Sequence, residues 1–155
     1  MKYLKPEFSC TESSVHGFFT PEEREYRYRM WDRQCLLYKD EFERNQEHFS
    51  KKIIALNTVD SLHDAFLQSV AVIRNKKTDR FDLEIVFYHK YKDKTVTIIY
   101  RDVKKLTGSL DIEHYIAFGD YLYGEWLYED GLYSHNFVLL YDSEINITCK
   151  RIVVK

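Results

Sequence analysis

The sequence predicts an α+β fold, a long N-terminal helix packed on a twisted antiparallel sheet of about six strands. Three observations predict it. Apolar residues recur at helical spacing up to about residue 48. From residue 66 onward the apolar period changes to two. Turn signals then recur roughly every 10 to 15 residues with no helical stretch between them, which favours an antiparallel meander over βαβ units.

The helix begins at Thr20-Pro21-Glu22-Glu23. Threonine can cap, proline suits the first helical position, and Glu23 can complete a capping box. The helix is expected from 21 to about 48, with Trp31, Cys35, Tyr38, Phe42 and Phe49 on one face. KKIIALNTV, 51 to 59, is either a second short helix or the frayed end of the first. In it Ile53, Ile54, Leu56 and Val59 want burial, and Asn57 and Asp60 are candidate stops or caps. Before the helix, Phe8, Val15, Phe18 and Phe19 are able to dock on a core.

The strands follow in order: FLQSVAVI, FDLEIVFYHKY, TVTIIYRDV, YLYGEWLYE, LYSHNFVLLY and INITCKRIVV. In the second, Phe81, Leu83, Ile85 and Phe87 share a face. In the third, Val96, Ile98 and Tyr100 do. Asp130-Gly131 is a hairpin signal. DIEHYIAFG, 111 to 119, reads equally as a short helix or a loop.

A chain of 155 residues is one ordinary domain, with a helical part at about 20–58 and a sheet part at about 66–155. Hydrophobic residues at 45% and charged residues at 31% give a globular balance, and 5 glycines and 2 prolines leave little room for linkers. The net charge of −2 lacks the basic surplus of a nucleic-acid binder. The local basic spots Lys76-Lys77, Lys90 to Lys94 and Lys104-Lys105 read as solvated loops and edge protection. Cys10, Cys35 and Cys149 are an odd, scattered set without a CxxC pair, which argues against a disulfide scaffold or a zinc knuckle. No signal-peptide core and no bilayer-length apolar run is visible, so the expected setting is reducing and cytoplasmic.

Catalytic motifs are weak. His63-Asp64 lies just before the first strand. Inside a strand the two side chains would point to opposite faces. In a turn they would serve the sheet's opening corner, which is the expected role. Glu113-His114 is another adjacent pair, His48 follows Glu47, and no HxxxH or HExxH spacing occurs. His16, His89 and His135 have no motif around them. Gly119, Gly124 and Gly131 have the wrong spacing for a phosphate loop and read as turns and a strand irregularity. No catalytic residue, cofactor or metal site is expected.

The most suggestive surface is GEWLYEDGLY. Glu125, Leu127 and Glu129 share one face and Trp126 and Tyr128 the other. With Trp126 buried, alternation would expose Glu125 and Glu129 beside tyrosines such as Tyr133, an acidic and aromatic surface suited to a protein with a basic site, so that Glu125, Tyr128, Glu129 and Tyr133 are the candidate partner-binding residues. Ordinary cross-strand aromatic packing is the plainer alternative.

Leu62-His63-Asp64-Ala65, the Ile98-Ile99-Tyr100-Arg101-Asp102-Val103 segment, Trp126-Leu127-Tyr128-Glu129 and Ile145-Asn146-Ile147-Thr148 carry a resemblance. Over roughly residues 20 to 155 the chain resembles a family of small uncharacterised bacterial proteins, common in Bacillus-like genomes and known only as a domain of unknown function. It is also similar to some immunity proteins of bacterial polymorphic toxin systems. The resemblance implies an α+β fold, bacterial origin and cytoplasmic residence, and carries no catalytic residues. The expected function is therefore a non-enzymatic protein-binding domain, with a toxin as the partner if it is an immunity protein. Two rivals stand beside it. One is a small-molecule-binding or hydrolytic domain with a pocket between helix and sheet, lined by His63, His114 and Glu125. The other is an oligomerisation module in which the aromatic helix pairs with its copy.

Overall fold

The computed structural model describes residues 1–8, 19–58, 61–109, 120–140 and 143–155. The expectations for Cys10, Val15, His16, Phe18, Val59, Asp60 and 111–119 lie outside the described residues. Among the described residues two α-helices, α1 (Pro21–Arg44) and α2 (Lys51–Asn57), precede six strands: β1 (Phe66–Asn75), β2 (Arg80–His89), β3 (Lys94–Gly108), β4 (Tyr121–Glu129), β5 (Leu132–Leu139) and β6 (Ser143–Val154). The fold is α+β with one antiparallel sheet.

The capping box forms: Thr20 Oγ1 accepts from the Glu23 N–H at 3.2 Å, and the Glu23 carboxylate accepts from the Thr20 N–H at 2.8 Å. The helix stops at Arg44, short of the expected 48. There Asn45 Nδ2 donates back to the Glu41 carbonyl at 3.1 Å, a local bond that competes with further helix. A single 3₁₀ turn, Gln46–His48, follows. Ser50 Oγ then caps the Ile53 N–H at 3.3 Å, so KKIIALN is a second helix and not a frayed end.

The strand order is β1-β2-β3-β6-β5-β4, which corrects the simple meander. Two three-stranded meanders lie side by side, joined where β3 pairs with β6. Period-two alternation tells which side chains share a face, but not which strand becomes a neighbour. β3, at 15 residues, is long enough to serve two partners. Its first half pairs with β2 as far as Leu83↔Tyr100, and its second half pairs with β6 alone. Asp102, with φ of 54°, sits at the change, beside an irregularity between Val103 and Lys105. The β4–β5 hairpin turns on Asp130 and Gly131, with φ of 52° and 77°, the pair of positive values a two-residue turn needs.

The sheet's two edges meet at one corner. Phe66 of β1 bridges Asp120, the Asp64 N–H donates to the Tyr121 carbonyl at 2.9 Å, and the Tyr121 N–H donates to the Ala65 carbonyl at 2.8 Å. Leu83, Ile85, Phe87, Val96, Ile98 and Tyr100 are buried as the alternation predicts, whereas Phe81 at the strand end is exposed. They join Tyr38, Phe42, Phe49 and Ile53 from the helical part in one core.

Candidate functional site

The acidic and aromatic surface expected on β4 is not formed as such. Glu125 is fully buried, not exposed. Its carboxylate accepts from three successive backbone N–H groups: Lys2, Tyr3 at 2.9 Å and Leu4 at 3.2 Å. Asn136 Nδ2 adds a fourth bond at 3.1 Å. Consecutive N–H groups converging on one anion form a nest, here closed on a side chain of the same chain. The next N–H, from Lys5, goes to Gln34 Oε1 of α1 at 3.0 Å. The N-terminal segment therefore covers the face of β4 that the alternation left to solvent. The sequence did hold a hint: YLYGEWLYE is apolar at both parities, the pattern of a strand covered on both sides.

Tyr128 and Tyr133 are half-buried in an aromatic stack under the end of α1. The His48 ring lies 3.8 Å from the Tyr128 ring, Tyr128 and Tyr133 are 4.9 Å apart, and Tyr133 meets Phe49 at 5.9 Å. Tyr133 Oη donates to the His48 carbonyl at 2.9 Å. This is the cross-strand aromatic packing weighed as the alternative. Glu129 alone of the four is exposed, with Lys2 Nζ 3.5 Å away.

His63 and Asp64 lie in the turn before β1, where the two side chains do meet, Nδ1 to Oδ1 at 3.0 Å. Asp64 adopts φ of 65°, which the corner's backbone bonds hold in place. Behind it, burial and then the Asp64 charge push the Asp120 carboxyl up. Asp120 Oδ1 and His89 Nδ1 are buried without a hydrogen-bond partner. The pocket imagined from His63, His114 and Glu125 is not assembled: Glu125 is sealed beneath the N-terminal segment, and His114 lies outside the described residues.

A polar chain that sequence reasoning missed runs through the core. His135 is fully buried, stacked on Trp126 with ring centres 3.5 Å apart. Tyr100 Oη is 2.6 Å from its Nδ1 and Tyr121 Oη is 3.3 Å from its Nε2. A neutral imidazole has one donor and one acceptor, so one tyrosine hydroxyl donates a hydrogen bond to the ring and the other accepts one from it. Burial pushes His135 well down and both tyrosines well up, so the chain is uncharged near pH 7. Gly124 makes room for it, since a Cβ there would sit 2.0 Å from Tyr121 Oη. Among the described residues no His, Cys, Asp and Glu group is placed to hold a metal ion.

The open surface lies elsewhere. Beyond Tyr100 the end of the β1–β2 hairpin and the second half of β3 run apart. Two adjoining hollows lie between them, of about 250 and 260 Å³. Val70, Val72, Phe81, Leu83, Val103 and Leu106 supply apolar walls. Val72, Phe81 and Leu106 are 61%, 52% and 46% exposed. Lys104 and Lys105 line the second hollow beside Asp82, and Lys76 and Lys77 lie in the β1–β2 hairpin turn. Asp82 anchors the hairpin here. Its burial opposes ionisation, but the Asp102 N–H at 2.9 Å and the Arg101 guanidinium at 2.6 Å outweigh that and hold it below the usual carboxylate range. Arg80 and Lys104 both pair with Asp102, whereas Lys76, Lys77 and Lys105 have no ion-pair partner among the described residues.

No protein-family model matches the chain, and no curated protein matches it. Among the described residues no helix is long and apolar enough to cross a membrane.

Proposed function

We propose that the protein is a non-enzymatic binding domain for another protein, with the split between the β1–β2 hairpin and β3 as its docking surface. The observation that carries this reading is the pairing of exposed apolar walls, Val72, Phe81 and Leu106, with Lys105, a lining lysine that has no ion-pair partner among the described residues. Contiguous exposed apolar side chains with a polar rim are the signature of a protein contact. The rim asks for a partner with acidic groups around an apolar protrusion. This reverses the charge expected from Glu125 and Glu129. The resemblance to immunity proteins makes a bacterial toxin the proposed partner, met in the cytoplasm of a Bacillus-like cell, by an α+β domain whose long N-terminal helix backs a twisted sheet.

The test is isolation of the tagged protein from its own bacterium, with the neighbouring genes co-expressed, beside the Leu106→Asp and Lys105→Glu variants. A stoichiometric partner held by the wild type and lost by both variants supports the reading. A partner held equally by all three moves the site away from the split.

A further inference from the structure

Strand β1 is one of the two edges of the sheet. Its first residues are engaged at the corner, where Phe66 bridges Asp120. Beyond that, among the described residues, it pairs with β2 on one side only. Sheet edges are ordinarily blunted by lysine, proline, a bulge or an inward charge. Here an irregularity falls between Leu67 and Ser69, leaving Gln68 as the extra residue, and Arg74 supplies the only charge of the strand. Between Gln68 and Arg74 lie five uncharged residues, Ser69-Val70-Ala71-Val72-Ile73, all of them exposed. Val70 and Val72 pair with Ile85 and Leu83, so they share the face of the hollow, while Ile73 points to the other face. The edge is thus apolar on both faces, and its outward backbone groups have no strand partner among the described residues.

We infer that this edge pairs with β1 of a second copy, antiparallel, about a two-fold axis midway between the two Ala71 residues. The proposal goes beyond the binding reading and does not depend on it. Ala71 lies midway between the bulge at Gln68 and Arg74, so the unprotected run is symmetric about its smallest residue. This register sets Val70 against Val72 of the second copy and Arg74 against Gln68. A register centred on Val72 would instead set Arg74 against Val70, trading an apolar contact for a charged one. Within the run from Gln68 to Arg74 no like charges oppose each other, and the turn at Lys76 and Lys77 comes alongside the corner of the second copy, where Asp64 and Asp120 lie together with Lys90. A two-fold axis normal to the sheet keeps both hollows on one side, making one longer concave surface. The paired run is short, so the dimer belongs to the small and weak class of interface.

Sedimentation equilibrium of the whole chain over a wide concentration range tests this, together with two variants. The wild type should pass from monomer to dimer as concentration rises. Val72→Lys, at a surface position, should weaken the dimer at least about tenfold with unchanged circular dichroism. Ala71→Cys, with Cys10 and Cys35 replaced by serine, should form a covalent dimer on mild oxidation, because residues facing each other across an antiparallel pair are within disulfide reach. Gln68→Cys in the same background should not. A wild type that stays monomeric throughout overturns the proposal. So does a dimer that survives Val72→Lys while Ala71→Cys stays uncrosslinked, or one lost on Leu36→Asp, which would place the contact on α1.

Discussion

Glu125→Gln isolates the most unusual polar site in the molecule. The carboxylate receives the N–H groups of Lys2, Tyr3 and Leu4 together with Asn136 Nδ2, all away from solvent. A hydrogen bond to a charged acceptor is worth about 1.5–3 kcal/mol. The amide keeps one acceptor oxygen and turns an NH₂ group toward donors, so about half of the set is lost. The expected cost is about 3 kcal/mol, allowing for non-additivity within one network. At roughly 2–4 °C per kcal/mol for a chain of this size, Tm should fall by about 6–12 °C. Urea unfolding gives the stability, and amide exchange gives the location, with Lys2 to Leu4 exchanging faster. If the stability loss is under about 1 kcal/mol and exchange at those amides is unchanged, the nest is not what fastens the N-terminal segment, and the argument fails.

Gly124→Ala should cost more than about 2 kcal/mol, because its Cβ would lie 2.0 Å from Tyr121 Oη and 2.9 Å from Phe137 Cβ. Adding Tyr121→Phe should recover part of the loss in a double-mutant cycle, and no recovery would remove the hydroxyl clash from the explanation. His135 has its folded pKa depressed by burial, so the unfolded chain binds the proton more readily. Stability should be fully present above about pH 6.5 and fall by up to about 1.4 kcal/mol per pH unit below it. His135→Phe should flatten that slope in urea midpoints measured between about pH 7.5 and 5, and an unchanged slope would assign it to other groups. The folded pKa of Asp120 is raised instead, first by burial and then by Asp64, so its ionisation works against the fold as pH rises above about 4. Asp120→Asn should therefore stabilise at pH 7 and lose its advantage at pH 3, and a variant less stable at pH 7 would show that the carboxylate is needed there.

The elements were legible where the signal is local. The Thr20 capping box, the Asp130-Gly131 turn and the buried sets of β2 and β3 depend on residues within a few positions of each other. The strand order was not, since β3 pairs with β6 across some forty residues of chain, and no local period encodes that choice. The candidate site failed for the same reason. Alternation places Glu125 opposite Trp126 across the strand, and from there water is the default. Only the arrival of Lys2 to Leu4, more than a hundred residues earlier in the chain, makes burial of that carboxylate favourable. Of the strand and turn placements left open for His63-Asp64 the structure shows the turn, and alternation foresees neither the positive φ of Asp64 nor the contact between the two side chains.

The buried polar groups and the exposed apolar ones divide the molecule into two parts with different responses to substitution. Glu125, Gln34 and Tyr38 each join segments far apart in sequence: Glu125 to the N-terminus, Gln34 to Lys5, and Tyr38 Oη to Asn57 at 2.6 Å and to the Trp126 N–H at 2.9 Å. Such joints are costly to break because each leaves a partner unsatisfied away from water. Val72, Phe81 and Leu106 are by contrast already in contact with solvent. Polar replacement there leaves no buried partner behind and should move stability by about 0.5 kcal/mol or less. The binding proposals therefore require a separation: changes at Phe81, Leu106 and Val72 should abolish association at nearly constant Tm, and changes at Glu125, Tyr38 and His135 should lower Tm while association persists at temperatures where the variants stay folded. A single set of residues governing both properties would mean that the split and the β1 edge are packing defects and not surfaces for a partner.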